Sequence, residues 1–206
     1  MGGDFYDVFE LGENRVGVLL GDVVGKGLRA AVRVAAARYA VRSYAYLDSS
    51  PSKVMAMANE ALCRESPDSD NILTVFYAVV DTVSGAMTYA SAGHEPPLVC
   101  APQDYIEELV VTGPVLGMIP EATYTECVRV LSDGEILVMF TDGITEARRD
   151  SSILFEKDGV IKHLERVCNS DPDEIARTLL EAATQHADGK LQDDAAIVVL
   201  RYRKDR

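Results

Sequence analysis

Apolar positions in the first third of the chain predict one buried strand followed by two helices. Residues 15–22 form a short apolar run that ends in Gly-Asp, which is typical of a buried strand. Residues 27–47 are rich in Ala and Arg and contain no Gly or Pro after the first position, so a long helix is expected there. Ser50 followed by Pro51 predicts the start of a second helix, which continues to about Glu65.

The side chains of the first predicted helix are expected to divide between solvent and core. Its arginines mark the predicted solvent side. Its tyrosines are expected to pack in the core, although an exposed interface stripe is the alternative. The arginines are Arg29, Arg33 and Arg42, and the tyrosines are Tyr39, Tyr44 and Tyr46.

The rest of the chain consists mostly of short β-branched and aromatic runs that are separated by turn residues. The predicted strands are residues 72–81, 86–91, 97–100, 106–112, 125–131, 135–141 and 195–202, with turns at 82–85 and 132–134. Asp171-Pro172 predicts the start of one more helix, which ends near Ala187. Because short turns join consecutive strands, the pattern predicts antiparallel sheets in an α+β fold.

Composition excludes several classes of protein. The chain has 33 Asp and Glu against 20 Lys and Arg, a net charge of −13, which disfavours binding to nucleic acid or to anionic membranes. No apolar run reaches the length that a membrane-spanning helix needs, and no signal peptide precedes the first motif, so we expect a cytoplasmic protein. The four cysteines form no C-x-x-C pair and are expected to be reduced thiols.

Aspartates next to glycine recur at the predicted strand ends, and this recurrence is the strongest chemical signal in the sequence. The clusters contain Asp4 and Asp7, Asp22, Asp142, and the pair Asp193 and Asp194. Glycine lets the backbone approach a ligand closely, and short carboxylates are preferred ligands of Mg²⁺ and Mn²⁺. The clusters therefore predict a site for two divalent cations that acts in phosphoryl transfer.

Two other residues attract attention but are given modest roles. His94 lies in a Gly-His-x-Pro-Pro segment and is expected to be structural. Lys26 lies in a glycine-rich loop that lacks the spacing of a nucleotide-binding loop, so it is expected to stabilise the loop or to lie near a substrate phosphate.

Six motifs together resemble the SpoIIE/RsbU branch of the metal-dependent protein phosphatase (PPM) family. They are GGDFYD from Gly2, GDVVGKG from Gly21, TVFYAVVD from Thr74, SAGHEPPL from Ser91, TDGITEAR from Thr141 and DDAAIVVLR from Asp193. The resemblance implies one phosphatase domain over residues 1–206, built as a four-layer αββα sandwich of two antiparallel sheets flanked by helices. It also implies that this domain lacks its first strand and comes from a longer, regulated protein.

The same resemblance assigns roles to the aspartates around two Mn²⁺ or Mg²⁺ ions. Asp22 corresponds to the bridging ligand and, with Asp142, is expected to be essential for catalysis. Asp4 and the Val23 carbonyl correspond to ligands of the second ion, and Asp142 and Asp193 to ligands of the first. Two neighbouring carboxylates, Asp7 and Asp194, are expected to act through water, and Asp193 and Asp194 could exchange roles.

The function implied by the resemblance is hydrolysis of phosphoserine or phosphothreonine in a protein. The implied substrate is a STAS-domain protein of the anti-anti-sigma type in partner-switching signalling. The implied partners are an upstream sensor domain or regulator and, in a homodimer, a second copy of the chain. The alternative is a catalytically silent, phosphatase-like module that binds a signalling partner. A two-metal nuclease is disfavoured because the chain is acidic.

Overall fold

The computed structural model describes residues 2–65, 72–101, 105–149 and 152–204. The chain divides into two compact units. Unit 1 comprises Met1–Glu95, Val110–Leu131 and Lys204–Arg206, and unit 2 comprises Pro96–Leu109 and Ser132–Arg203. The single domain expected from the sequence therefore contains two separately packed cores.

The secondary structure mixes strands and helices, as the sequence predicts. In chain order the elements are β1 (Phe5–Gly12), β2 (Arg15–Val23), α1 (Leu28–Ala45), α2 (Pro51–Glu65), β3 (Leu73–Asp81), β4 (Ala86–Ala92), β5 (Leu98–Cys100), β6 (Ile106–Glu108), β7 (Cys127–Val130), β8 (Ile136–Phe140), α3 (Asp142–Thr145), β9 (Arg148–Arg149), β10 (Ile153–Leu154), α4 (Glu156–Val167), α5 (Pro172–His186) and β11 (Ile197–Arg201).

Unit 1 is a five-stranded antiparallel sheet with two helices packed on one face. The strand order is β1-β2-β3-β4-β7. Alternate residues of β3, such as Val75 and Tyr77, share a buried cluster with Val41 of α1 and Met55 of α2. Each of these side chains is completely buried, and burial of a large apolar side chain stabilises a fold by about 1.5–3 kcal/mol. The two helices are therefore held on the sheet mainly by apolar packing.

Local polar contacts define the turn and the helix start that the sequence predicts in unit 1. The carboxylate of Asp81 accepts hydrogen bonds from the backbone N–H groups of Val83 and Ser84, at 3.1 and 2.7 Å, and so closes the β3–β4 hairpin. At the start of α2, the Ser50 hydroxyl accepts from the Lys53 N–H at 3.4 Å. That hydroxyl in turn donates to the Glu126 carboxylate at 2.7 Å.

Unit 2 is a four-stranded antiparallel sheet in the order β11-β8-β5-β6, with a core formed against α4 and α5. Every residue of β8 is buried. The sheet residues Val138 and Phe140 share the core with Leu164 of α4 and Leu179 of α5. Together with unit 1, this arrangement confirms the prediction of an α+β fold with two antiparallel sheets and helices.

Three predictions about strands and helices need correction. The turn at 132–134 joins β7 to β8, but these strands lie in different sheets, so the turn does not close a hairpin. The predicted strand 106–112 ends at Glu108. Leu109 still donates to the Pro97 carbonyl beside β5, but the Thr112 N–H donates to the Ser91 carbonyl on β4, so residues 109–112 do not continue the β5–β6 pairing as a strand. Helix α4 was not predicted, since Gly159 interrupts its sequence and weakens the helical signal.

The predicted sides of α1 are also partly wrong. Tyr39 and Tyr46 are exposed, whereas Tyr44 packs against the core. The solvent side of α1 also contains apolar residues, because Leu28 and Val32 are exposed on the same helix as the arginines. The cause is a core contact made by small residues such as Ala30 and Ala37, which leaves the larger apolar side chains outside.

The prediction of four reduced cysteines is wrong for two of them. Cys100 at the end of β5 and Cys168 after α4 form a disulfide across the core of unit 2, with Cα atoms 6.1 Å apart. Cys63 and Cys127 are free thiols. Spacing along the chain could not show this pairing, because the two partners are 68 residues apart in sequence.

Among the helices that the structure describes, none has the length and apolar character to span a membrane.

Candidate metal centre

Unit 1 brings Asp4, Asp22 and Val23 together through a close approach of two backbone segments. The Val23 N–H donates to the carbonyl of Gly3, two residues before β1 begins, at 3.2 Å. A Cβ atom on Gly3 would lie 2.3 Å from the Val23 carbonyl oxygen and 2.6 Å from Oδ1 of Asp22. Only glycine fits there, and Asp4 is the next residue along the chain.

Asp22 is held at the end of the central strand pair of unit 1. In the β2–β3 register Asp22 lies opposite Thr74, so both side chains extend from the same face of the sheet. The Thr74 hydroxyl lies 3.0 Å from Nδ1 of His94. Sequence reasoning did not select Thr74, and its place within the TVFYAVVD motif was the available signal.

His94 is a buried neighbour of this strand end. Its side chain is 2% exposed, and burial lowers its pKa from 6.5 to about 4. Nε2 is buried and has no hydrogen-bond partner among the residues that the structure describes. A buried ring with a lowered pKa is compatible with the expected structural role of His94, which stays a prediction.

Unit 2 brings Asp142 close to the segment that carries Asp193 and Asp194. Asp142 is the first residue of the short helix α3, directly after the buried strand β8. A Cβ atom on Gly143 would lie 1.8 Å from the Asp194 carbonyl oxygen, so the two backbones touch. Thr141 reinforces this approach, because its N–H donates to the Ala196 carbonyl and its hydroxyl accepts from the Ala196 N–H at 2.9 Å.

The remaining candidate carboxylates have different surroundings. Asp193 and Asp194 are both exposed, and the Asp193 carboxylate accepts from the Asp194 N–H at 2.8 Å. Asp7 is paired with Arg42 of α1, with Nη1 and Oδ2 3.1 Å apart. The Arg42 guanidinium also lies 5.0 Å from the centre of the Phe9 ring. The structure thus gives Asp7 a partner on α1, and its role beside a metal stays a prediction.

The donor atoms fit hard divalent cations. Within the described ranges, no three His, Cys, Asp or Glu side chains form a group that could hold a metal ion. The fit rests on the chemistry of the donors, which are carboxylate oxygens and one backbone carbonyl, and on the cradle at Gly3 that exposes Asp22 Oδ1 and the Val23 carbonyl oxygen to the same point. Each unit therefore contains oxygen atoms of the kind that hard cations prefer, next to a glycine that permits close backbone contact, and their role as ligands stays a prediction.

Comparison with solved structures defines the class of fold. The chain matches the RsbU and RsbW domains of Rv1364c from Mycobacterium tuberculosis with a TM-score of 0.86 at 22% identity, covering 100% of this chain and 56% of that one. It matches the PP2C phosphatase domain of SpoIIE from Bacillus subtilis with a TM-score of 0.85 at 22% identity, covering 97% of this chain and 58% of that one. The fold is therefore that of a PP2C-type phosphatase domain.

The sequence comparison then identifies the family. The family model described as "Stage II sporulation protein E (SpoIIE)" matches residues 12–203. The chain therefore belongs to the SpoIIE family. It is 31% identical over 204 residues to phosphoserine phosphatase RsbU of Bacillus subtilis (strain 168), covering 98% of this chain and 60% of that protein. The resemblance seen in the motifs is confirmed, and the chain spans less than two thirds of the length of these relatives.

Proposed function

We propose that this chain is a metal-dependent protein phosphatase that hydrolyses phosphoserine or phosphothreonine. The observation that carries the proposal is the cradle at Gly3, which aims the Asp22 carboxylate and the Val23 carbonyl at one point directly beside Asp4. The PP2C-type fold and a relative named as a phosphoserine phosphatase support the same reaction.

The chain's own residues have defined tasks in this proposal. Asp4, Asp22 and the Val23 carbonyl are the proposed metal ligands of unit 1, and Asp142 and Asp193 are the proposed metal ligands of unit 2. Bound Mn²⁺ or Mg²⁺ would lower the pKa of water and neutralise charge on the phosphoryl group. Asp22 lies near the end of the buried strand β2 and Asp142 begins α3 two residues after the buried strand β8, so regular structure positions the backbone of both residues. Asp194 supports the neighbouring ligand segment through its backbone.

The proposal extends to the substrate and the partners. Membership of the SpoIIE family supports a STAS-domain phosphoprotein as the substrate and an upstream sensor domain or regulator as a partner. A cytoplasmic location and a homodimer are compatible with this role. The competing function is a silent module that only binds a partner. Such a module would be free to lose the aspartates, whereas Asp4, Asp22, Asp142 and Asp193 are all present in the sequence, which favours the enzyme.

Phosphate release with and without metal tests the proposal. We expect the wild-type chain to hydrolyse p-nitrophenyl phosphate and a phosphoserine peptide with Mn²⁺ or Mg²⁺, and to lose activity in EDTA. Asp142→Asn should lower kcat by at least about 100-fold, because even groups that only support a metal ligand contribute 10–100-fold. Asp173→Asn, at an exposed position on α5, is the matched control and should keep full activity. If wild type and Asp142→Asn release phosphate equally, the assigned ligand set is wrong.

A further inference from the structure

The segment around α1 has an unusual charge for this chain. Residues 23–47 contain Lys26 and four arginines and no acidic residue, although the whole chain carries a net charge of −13. Arg29 is exposed, and Arg33 is partly exposed. A cationic segment in a strongly acidic protein attracts a negatively charged partner and repels a positively charged one.

Exposed apolar side chains occupy the same helix. Leu28 is 78% exposed and Val32 is 59% exposed, and they lie four residues apart on one side of α1. In the loop before α1, Val24 is 57% exposed. The side chains of Val24, Lys26, Leu28, Arg29 and Val32 form what we call the docking face. Several exposed apolar side chains next to cations are typical of a protein-binding surface.

The docking face begins directly after a candidate metal ligand. Val23 is the last residue of β2, and only residues 24–27 separate it from α1. The Val24 N–H donates to the Ile72 carbonyl at 3.1 Å, and the Ala31 N–H donates to the Gly27 carbonyl, so both ends of this connection are held in place. From Leu28 to Val32 the helix rises about 6 Å. A phosphoserine that reaches Asp22 therefore brings its flanking residues over the docking face.

We propose that the docking face binds the phosphorylated substrate protein and selects one that is acidic and apolar next to its phosphoserine. This inference rests on the proposed phosphatase function. Acidic substrate side chains pair with Arg29, and an apolar substrate side chain covers Leu28 and Val32. A short acidic segment beside a phosphoserine meets only this local positive charge. An extended anionic membrane also meets the acidic remainder of the chain, whose net charge is −13, and is repelled by it.

Two phosphoserine peptides that differ only in their flanks test the selection. One carries Asp, Glu and Leu in the five positions on each side, and the other carries Lys and Ser there. Five extended residues span about 17 Å, which is enough to cross the docking face. We expect kcat/KM of the wild type to be at least about fivefold higher for the acidic peptide. The ratio should fall in 0.5 M salt, where the charge pairs are screened and the apolar contact with Leu28 and Val32 remains.

Variants at one exposed arginine connect the selection to the docking face. Arg29→Glu should bring the ratio of the two kcat/KM values to one or below, and Arg29→Gln should give an intermediate ratio. Arg177→Glu, at an exposed position on α5, is the matched control and should keep the wild-type ratio. Circular dichroism confirms that each variant is folded, and p-nitrophenyl phosphate, which has no flanks, reports the metal centre separately.

The results distinguish failure of the proposed phosphatase function from failure of the docking inference alone. If the wild type releases phosphate from none of the three substrates, the proposed function fails and the docking inference fails with it. If p-nitrophenyl phosphate is hydrolysed but the peptide ratio is near one or ignores Arg29→Glu, the docking inference alone is wrong. Arg29-dependent binding to phosphatidylglycerol vesicles, or Arg29-dependent self-association with an unchanged ratio, would also overturn it by assigning the face to a membrane or to a second copy.

Discussion

The stability of unit 1 should depend on pH through the buried ring of His94. In the unfolded chain a histidine has a pKa of 6.5, whereas burial lowers the pKa of His94 in the fold to about 4. The folded state therefore binds this proton more weakly than the unfolded state. The stabilisation is complete above pH 6.5 and is lost as the pH falls from 6.5 towards 4.

The size of the effect follows from the two pKa values. Since one pKa unit corresponds to about 1.36 kcal/mol, the full change lowers the free energy of unfolding by about 3 kcal/mol. About 2 kcal/mol of this loss should be reached by pH 5, before most carboxylates become protonated. This range can be measured, because a typical domain has a free energy of unfolding of about 5–15 kcal/mol.

His94→Asn isolates the contribution of this ring. Asparagine places a polar atom near the position of Nδ1 and can keep the contact with Thr74, but it does not titrate. Urea unfolding followed by circular dichroism in EDTA, at pH 7.5, 6.5, 5.5 and 5.0, gives the stability difference between wild type and variant. We expect this difference to shrink by about 2 kcal/mol between pH 7.5 and pH 5. A difference that stays constant, or that grows towards acid pH, would refute the reasoning.

Two further perturbations test unit 2. Gly143→Ala should lower the free energy of unfolding by at least about 2 kcal/mol, because its Cβ would lie 1.8 Å from the Asp194 carbonyl oxygen. The control is Gly189→Ala, whose added Cβ meets no atom within 4 Å and should lower the free energy of unfolding by about 1 kcal/mol. Thermal unfolding measures both losses, and equal losses for the two variants would contradict the close approach at Gly143. Replacing Cys100 and Cys168 together by Ala should lower the free energy of unfolding by about 2–4 kcal/mol, since the disulfide closes a long loop. A denatured, unreduced chain should show two titratable thiols, and four would exclude the bond.

Local sequence signals predicted most of the helices and strands correctly. Ser50-Pro51 and Asp171-Pro172 marked the starts of α2 and α5, because a cap followed by proline is a signal within a few neighbouring residues. The apolar run that ends at Asp22 was found for the same reason. Helix α4 was missed, since Gly159 and several charged residues obscure its buried positions Val160 and Leu164.

The ligand roles in the candidate site stay a prediction. Motifs of glycine and aspartate selected Asp4, Asp22, Asp142 and Asp193, and the structure shows the close approach of Gly3 to Asp22 within these motifs. Contacts that join distant segments were not visible in the same motifs. Examples are the pairing of Asp7 with Arg42 and the place of Thr74 opposite Asp22.

The sequence by itself determined the α+β class, the family and the positions where glycine and aspartate meet, because these depend on residues that are close along the chain. The tertiary structure alone decided which strands share a sheet, that Cys100 bonds Cys168, and that α1 presents Leu28 and Val32 to solvent. These features depend on packing between segments that are far apart in sequence. The same helical pattern is compatible with either face of α1 being buried until the sheet of unit 1 covers one of them.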